Sequence, residues 1–260
     1  MIYFLRTRYH YAPYDDFFTL ATLAGYEVRY LDEVETFDSK DNVYIISPVN
    51  GEWNHWAKGY VRGKLILYEL EYNVDGNHVT PSAVDEVWAG DKWQAETNGF
   101  RYVPMGSDRR LDLAGERLED YPVFDIALMA YRDVYRRSKL IHEIQDAGVT
   151  IAPNDWGLAR SIRMLESYAM VHIHQWDNIP AIAPLRWCLA AAHNLPIISE
   201  TVADRGIFGY THMMQADYSH LARFVGYVLK DKRLLADYAA ALHHLLCDEY
   251  TFKRGIESHV

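Results

Sequence analysis

The stretch AYRDVYRRSK, residues 130–139, carries Arg132, Arg136 and Arg137 where an apolar run gives way to a helical pattern. A helix start offers unpaired N–H groups and the positive end of the helix dipole, and guanidinium forks add directional charge. The spacing therefore predicts a phosphate site, with a solvated basic turn as the plainer alternative. A second set lies between His174 and Glu200. HIHQ ends one strand-like run, PLRWCLAAAH opens a helix with Pro184, Leu185 and Arg186, and LPIISE ends in Glu200. A cation in the first turn of a helix opposes the dipole, so Arg186 calls for an anion nearby, either a ligand or one of the chain's own acids. Glu200 is otherwise a solvent-facing acid at a strand end.

The first half supplies acids and aromatics. In LILYELEY, Glu69 and Glu71 alternate with Tyr68, Leu70 and Tyr72, so both acids share one face of a strand. Together with Asp15 they are candidates for a general base, with Asp16 and His10 competing for the role and simple exposure as the alternative for each. The segments RTRYHYAPYDD (with His10 and Tyr11), VNGEWNHW (with Glu52 and Trp53) and ELEYNVDGNH set flat aromatic faces beside acids and amides, a combination suited to sugars.

Other chemistries find less support. Neither GxGxxG nor GxxxxGK[ST] occurs, which argues against nicotinamide, flavin and P-loop nucleotide sites. Cys188 and Cys247 stand far apart, and the His172/His174 and His243/His244 pairs lack a metal-site pattern, so neither zinc nor a disulfide framework is expected. A reduced, cytoplasmic setting follows from that reading. The formal net charge of −10 opposes broad nucleic-acid binding. A local track through Arg6, Arg8, Lys58, Arg62, Lys64, Arg109 and Arg110 stays open. No segment reaches the apolar length of a membrane span, about 18 residues.

These side chains are positioned by a repeated alternation of short apolar runs and helical patterns. MIYFLR, YEVRYLDE, NVYIISPV, KLILYELEY, a short run after VDE, and FRYVPMGSD read as strands of the first half. Helices fall over YDDFFTLATLAG and DKWQAETNG. FDIALMA, VTIAPND, MVHIHQ and LPIISE read as strands of the second half, with helices over YRRSKLIHEIQDAG, LARSIRMLESYA, the segment from Pro184, DYSHLARFVGYVLKD, and KRLLADYAAALHHLLCDEYTFKRGIESH. Strands spaced by helices predict parallel sheets, whose ligands sit beyond the carboxyl ends of the strands. The charged segment 108–122 divides the pattern. The expected organisation is an N-terminal Rossmann-like domain over 1–110, a linker over 111–122, and a C-terminal Rossmann-like domain over 123–260 whose last helix crosses back.

In order and spacing, FDIALMAYRDVYRRSKLIHEI, GVTIAPNDWG, YAMVHIHQ, PLRWCLAAAHNLPIISE and YTFKRGIESHV resemble the C-terminal domain of GT-B glycosyltransferases, closest to the CgeB-like branch of the group 1 enzymes. VDEVWAGDKWQAETNGFRYVPMGSD resembles the end of that family's acceptor domain, so the likeness runs over roughly 85–260. The resemblance implies two Rossmann-like domains facing a cleft and a nucleotide-sugar, most simply a UDP-sugar, as co-substrate, with no tightly bound cofactor and no metal. It places the donor against Arg132, Arg136, Arg137, His174, Pro184, Leu185, Arg186 and Glu200. The acceptor falls against His10, Tyr11, Glu52 and Trp53, with Glu69, Glu71 or Asp15 as base. The acceptor class stays open between DNA, protein and a small molecule; phage enzymes of this fold glucosylate modified DNA bases, which would make the setting a host cytoplasm. One position departs. Where the family has a ribose-binding Glu, this chain has Leu189. That leaves a non-catalytic GT-B-like binding module as the alternative; an epimerase or phosphorylase has no distinct signal.

Overall fold

The computed structural model describes residues 1–6, 8, 15–47, 61–70, 84–112, 122–130 and 135–260. In chain order the first half contains β1 (Ile2–Arg6), α1 (Asp15–Leu23), β2 (Glu27–Tyr30), β3 (Val43–Ile46), β4 (Lys64–Glu69), β5 (Glu86–Ala89), α2 (Lys92–Asn98) and β6 (Arg101–Tyr102). The strands form one parallel sheet in the order β2-β1-β3-β4-β5-β6. Strands covered on both faces must be apolar throughout rather than alternating. Phe4, Leu5, Ile45, Ile46, Leu65, Ile66 and Leu67 are all buried. YEVRYLDE is extended only to Tyr30. Leu31–Thr36 winds into a 3-10 helix, because Leu31 and Val34, three residues apart, then turn to the same side and bury together. Helix α2 is capped by Asp91, whose side chain accepts from Gln94 N, and ends at Gly99 with φ 68°, the left-handed position that glycine fills without a Cβ penalty.

The second half contains β7 (Phe124–Ala127), α3 (Tyr135–Asp146), α4 (Gly157–Leu165), β8 (Ser167–His172), α5 (Pro184–Ala192), β9 (Ile197–Glu200), β10 (Met214–Ala216), α6 (Tyr218–Val228), α7 (Lys232–His243) and α8 (Phe252–Glu257). Its parallel sheet runs β10-β9-β8-β7. Three expectations need correction. VTIAPND forms a single parallel bridge, Ile126 to Ile151, since Pro153 brings no N–H to continue a ladder. The strand read as MVHIHQ begins at Ser167 and ends at His172, so His174 lies past it. The long C-terminal helix is broken: a π-turn over His244–Glu249 follows α7, and Thr251 restarts the chain as the cap of α8, accepting from Arg254 N.

Ile151 lies on the side of β7 away from β8. Counting it as a one-residue strand, the second sheet reads 2-1-3-4-5 in chain order, the same order as the first five strands of the first sheet. In such sheets the crevice opens where neighbouring strands send their connections to opposite faces, here between β1 and β3 and between β7 and β8.

Helix α5 belongs to the second sheet but fills the space between the halves. Trp187, Cys188, Leu189, Ala190 and Ala191 share one apolar cluster with Phe4, Tyr68 and Trp88. Ser107 donates to Cys188 O at 2.7 Å, and Phe252 of α8 packs on Phe4 and Phe17 of the first half. A Cβ on Gly106 would sit 1.9 Å from Tyr250 O, so only glycine permits this approach.

Candidate functional site

The carboxyl edge of the second sheet gathers the ends of β7, β8 and β9 and the start of α3. Arg136, in the first turn of α3, reaches across the β7/β8 crevice. Its Nη1 donates to Glu200 Oε2 at 2.7 Å and to His174 O at 3.1 Å. Nη2 pairs with Glu200 Oε1 and Nε with Asp177. The guanidinium lies over the Tyr218 ring at 4.0 Å, and the Tyr218 hydroxyl donates to Arg136 O at 2.8 Å. Glu200 also accepts from His174 N at 3.1 Å. Arg136 and Glu200 are 13% and 8% exposed, while Asp177 is 87% exposed. The structure thus brings together Arg136, His174 and Glu200, with the Arg136 guanidinium paired to the Glu200 carboxylate. Arg137 turns inward: it is buried and its Nε donates to Ile173 O at 3.0 Å. Both arginines donate to carbonyls just past β8, Arg136 to His174 O and Arg137 to Ile173 O.

The next cation along the edge is differently placed. Arg186 sits in the first turn of α5, after Pro184 at the helix start and the partly buried Leu185. Its Nη1 lies 3.2 Å from His172 Nδ1. Burial, with Arg186 adding to it, drives the His172 pKa well below the usual histidine range. The ring is therefore neutral, and Nδ1 accepts from the guanidinium. Burial also lowers His174 to about 4, against the opposing pull of Glu200. Among the described residues no carboxylate lies within ion-pair distance of Arg186, and its side chain is half-buried. Leu189, one turn on, is buried in the shared core; an acid there would carry a buried charge between the two halves.

The loop that leads into α5 is held from the first half. Asp91, fully buried, accepts from Gln94 N at 2.7 Å and from Ile182 N at 2.8 Å. A Cβ on the adjacent Gly90 would fall 2.8 Å from Pro184 Cγ, so the Pro184 ring packs directly on the backbone of Gly90. Lys92 pairs with Asp204 at 3.0 Å, and Ile207 N donates to the Tyr102 hydroxyl at 3.1 Å. Sequence reading missed Asp91; its one signal was an Asp before a helical pattern, which specifies a cap but not a second partner 91 residues away. Burial raises the Asp91 pKa to about 6, with both N–H donors opposing the rise. A raised folded-state value means the folded chain holds the proton more tightly. Stability contributed by Asp91 is then greatest below pH about 4 and declines as pH rises to about 6, by up to about 3 kcal/mol. Denaturant unfolding across that window should show the decline, and Asp91→Asn should flatten it.

Of the first-half candidates, Glu69 ends β4 fully buried. Asp15 opens α1 and meets Arg6 at 3.2 Å. Asp16 turns the other way, into the second half. Glu71, His10, Tyr11, Glu52, Trp53 and Arg132 lie outside the described residues. Among the described residues no group of His, Cys, Asp and Glu is arranged to hold a metal, and no helix is long and apolar enough to cross a membrane.

No family model and no curated protein sequence matches the chain. Solved structures do. AviGT4, a glycosyltransferase involved in avilamycin A biosynthesis, superposes with a TM-score of 0.66 at 9% identity, over 99% of this chain and 96% of that one. The DNA-modifying enzyme β-glucosyltransferase gives 0.59 at 10% identity, over 99% and 98%. TarM gives 0.58 at 10% identity over 88% of this chain, which spans 56% of the TarM chain. Two parallel sheets flanked by helices, in two Rossmann-like halves, make this the GT-B architecture.

Proposed function

We propose that the chain is a metal-independent glycosyltransferase that moves a sugar from a nucleotide-sugar, most simply a UDP-sugar, to a hydroxyl acceptor. The observation that carries this reading is Arg186: a half-buried cation in the first turn of α5, held by a neutral histidine and facing no carboxylate among the described residues. In the GT-B fold that helix start lies at the carboxyl edge where a donor diphosphate belongs. As the glycosidic bond of the donor breaks, negative charge grows on the leaving diphosphate. Arg186 and the α5 start are fixed in advance to receive it, which is the arrangement that lowers a barrier rather than merely binding. Arg136, Glu200 and His174 hold the edge in place around it. An acid of the first half takes the acceptor proton; of the three candidates Glu69 is fully buried, which leaves Asp15 or Glu71.

Residues 1–110 form the acceptor side in this reading and 123–260 the donor side, joined through 111–122. The order of the sequence segments supports a place near the CgeB-like branch, and the absence of a disulfide pattern supports a cytoplasmic setting. Calorimetric titration with UDP, GDP, ADP and CMP tests the proposal: one of them should bind, more weakly in Arg186→Ala, and no binding of any would overturn it. The buried Leu189 favours one other reading, a binding module without turnover. Slow hydrolysis of the bound nucleotide-sugar, followed by mass spectrometry, separates the two.

A further inference from the structure

Asp91 does more than cap α2. The cap takes one oxygen, Oδ1, which accepts from Gln94 N at 2.7 Å. Serine or asparagine would cap the helix without burying a charge. The second oxygen, Oδ2, accepts from Ile182 N at 2.8 Å, across the joint between the halves. A carboxylate is the small side chain that accepts at both ends at once, and this one is fully buried. Ile182 stands directly before Ala183, the N-cap of α5, and Ala183 O accepts from Arg186 N at 2.9 Å. On its other side, Ala181 presents its carbonyl to the His172 ring and favours a proton there. Because His172 Nδ1 accepts from Arg186, that proton sits on Nε2. Ile182 therefore lies between the two supports of Arg186: the start of its helix and the histidine that holds its guanidinium.

We propose that Asp91 is a positioning residue for Arg186, acting through Ile182, so that the first half sets the orientation of the arginine that receives the charge of the leaving diphosphate. The role of Arg186 is taken from the glycosyltransferase reading above; the dependence on Asp91 is added to it. A neighbouring contact agrees. Gly90 leaves no room for a side chain against Pro184, the first residue of α5, so residues 90 and 91 together seat the start of that helix. Two other bridges of the joint end elsewhere. Lys92 reaches Asp204, and the Tyr102 hydroxyl accepts from Ile207 N; both partners lie in the loop after β9, away from the segment that carries the arginine. Orientation matters because a donor stabilises developing charge only when it is already held where that charge appears. A displacement of about 1 Å at such a group can cost about 10²-fold in rate.

Asp91→Ser keeps an oxygen for Gln94 N but is too short to reach Ile182 N as well. Asp91→Asn keeps the shape and gives up one of the two acceptors. Lys92→Met breaks a different bridge across the joint and is the control. In the full ¹⁵N-labelled chain, amide exchange at Gln94 and Ile182 shows which bond each variant has lost. The His172 imidazole nitrogens, assigned with Arg186→Ala, show whether Arg186 still donates to Nδ1. The His172 signal should move toward its Arg186→Ala position wherever Ile182 loses protection. It should stay where Gln94 alone loses protection, and stay in Lys92→Met. Hydrolysis of UDP-glucose per folded molecule should fall about 10- to 100-fold in the variants that free Ile182. The Kd for UDP should change less than about threefold, the split expected when orientation rather than binding is lost. A His172 signal that stays when Ile182 is freed, one that follows Gln94 or Lys92 instead, or undiminished hydrolysis with Ile182 freed would each overturn the proposal. If the intact chain neither binds UDP nor hydrolyses UDP-glucose while His172 still follows Ile182, the link from Asp91 to Arg186 stands and the donor reading falls. If UDP binds and His172 ignores Ile182, the donor reading stands and the link falls.

Discussion

Replacing Asp16 by alanine is expected to destabilise the protein by about 3–5 kcal/mol, the cost of leaving a buried charge without its partner. Asp16 Oδ1 and Oδ2 take Arg160 Nη2 and Nη1 at 2.5 and 2.6 Å, and both side chains are almost fully buried. Burial raises the Asp16 pKa and the Arg160 hydrogen bonds pull it back, so the pair exists as ions only because each holds the other. The same joint contains His193, held below its usual range chiefly by burial, with Nε2 3.4 Å from Asp112 Oδ1. The joint thus ties α1, α4, the end of α5 and the start of the linker. Because the apolar cluster is continuous across the halves, the loss should appear as one earlier cooperative transition in urea rather than as separate unfolding of one half. The double variant Asp16→Leu/Arg160→Met removes both charges and should recover most of the loss. A loss below about 1 kcal/mol for Asp16→Ala would mean that water reaches the pair, which places it among surface ion pairs.

Features that depend on local pattern were legible in the sequence, and features that depend on meeting another segment were not. Apolar runs such as NVYII and LPIISE became buried parallel strands because burial on both faces demands just such runs. Gly99 marked the end of α2 for the same local reason. Strand β10 was missed because MQA is three residues long and derives its extension from pairing with β9. The C-terminal segment looked like one helix because its apolar spacing runs on past His243, yet Tyr250 and Thr251 leave the helix where the chain meets Gly106 and Ser107 of the first half. At the candidate site the residue types were legible and their partners were not. Arg136 and Arg186 both read as cations at helix starts. Only the fold shows that Glu200, 64 residues away, neutralises the first, while the second meets the uncharged His172.

That difference gives the second large effect. Arg186→Ala is expected to lower the rate of nucleotide-sugar turnover, with acceptor or with water, by about 10²–10³-fold, the range for removing one preorganised donor to developing negative charge. Stability should change little, since the half-buried side chain makes one described hydrogen bond, to His172, and His172 is neutral without it. Arg186→Lys should restore only part of the rate, because an ammonium keeps the charge but not the planar fork. Arg136→Ala should fail in the opposite manner. It leaves Glu200 buried with only the His174 N–H among its described donors, so the folded state weakens by about 3–5 kcal/mol, and turnover falls with the folded fraction. The two are told apart by kcat per folded molecule, with the folded fraction read from circular dichroism. Asp177→Ala supplies the third arm. Asp177 is exposed and is the one described acid, besides Glu200, on Arg136. If the diphosphate reaches as far as Arg136, removing Asp177 should tighten UDP binding; if Arg186 alone carries it, UDP affinity should not move. Equal loss of kcat in folded Arg186→Ala and folded Arg136→Ala protein would contradict the division between a charge-receiving arginine and a bracing one.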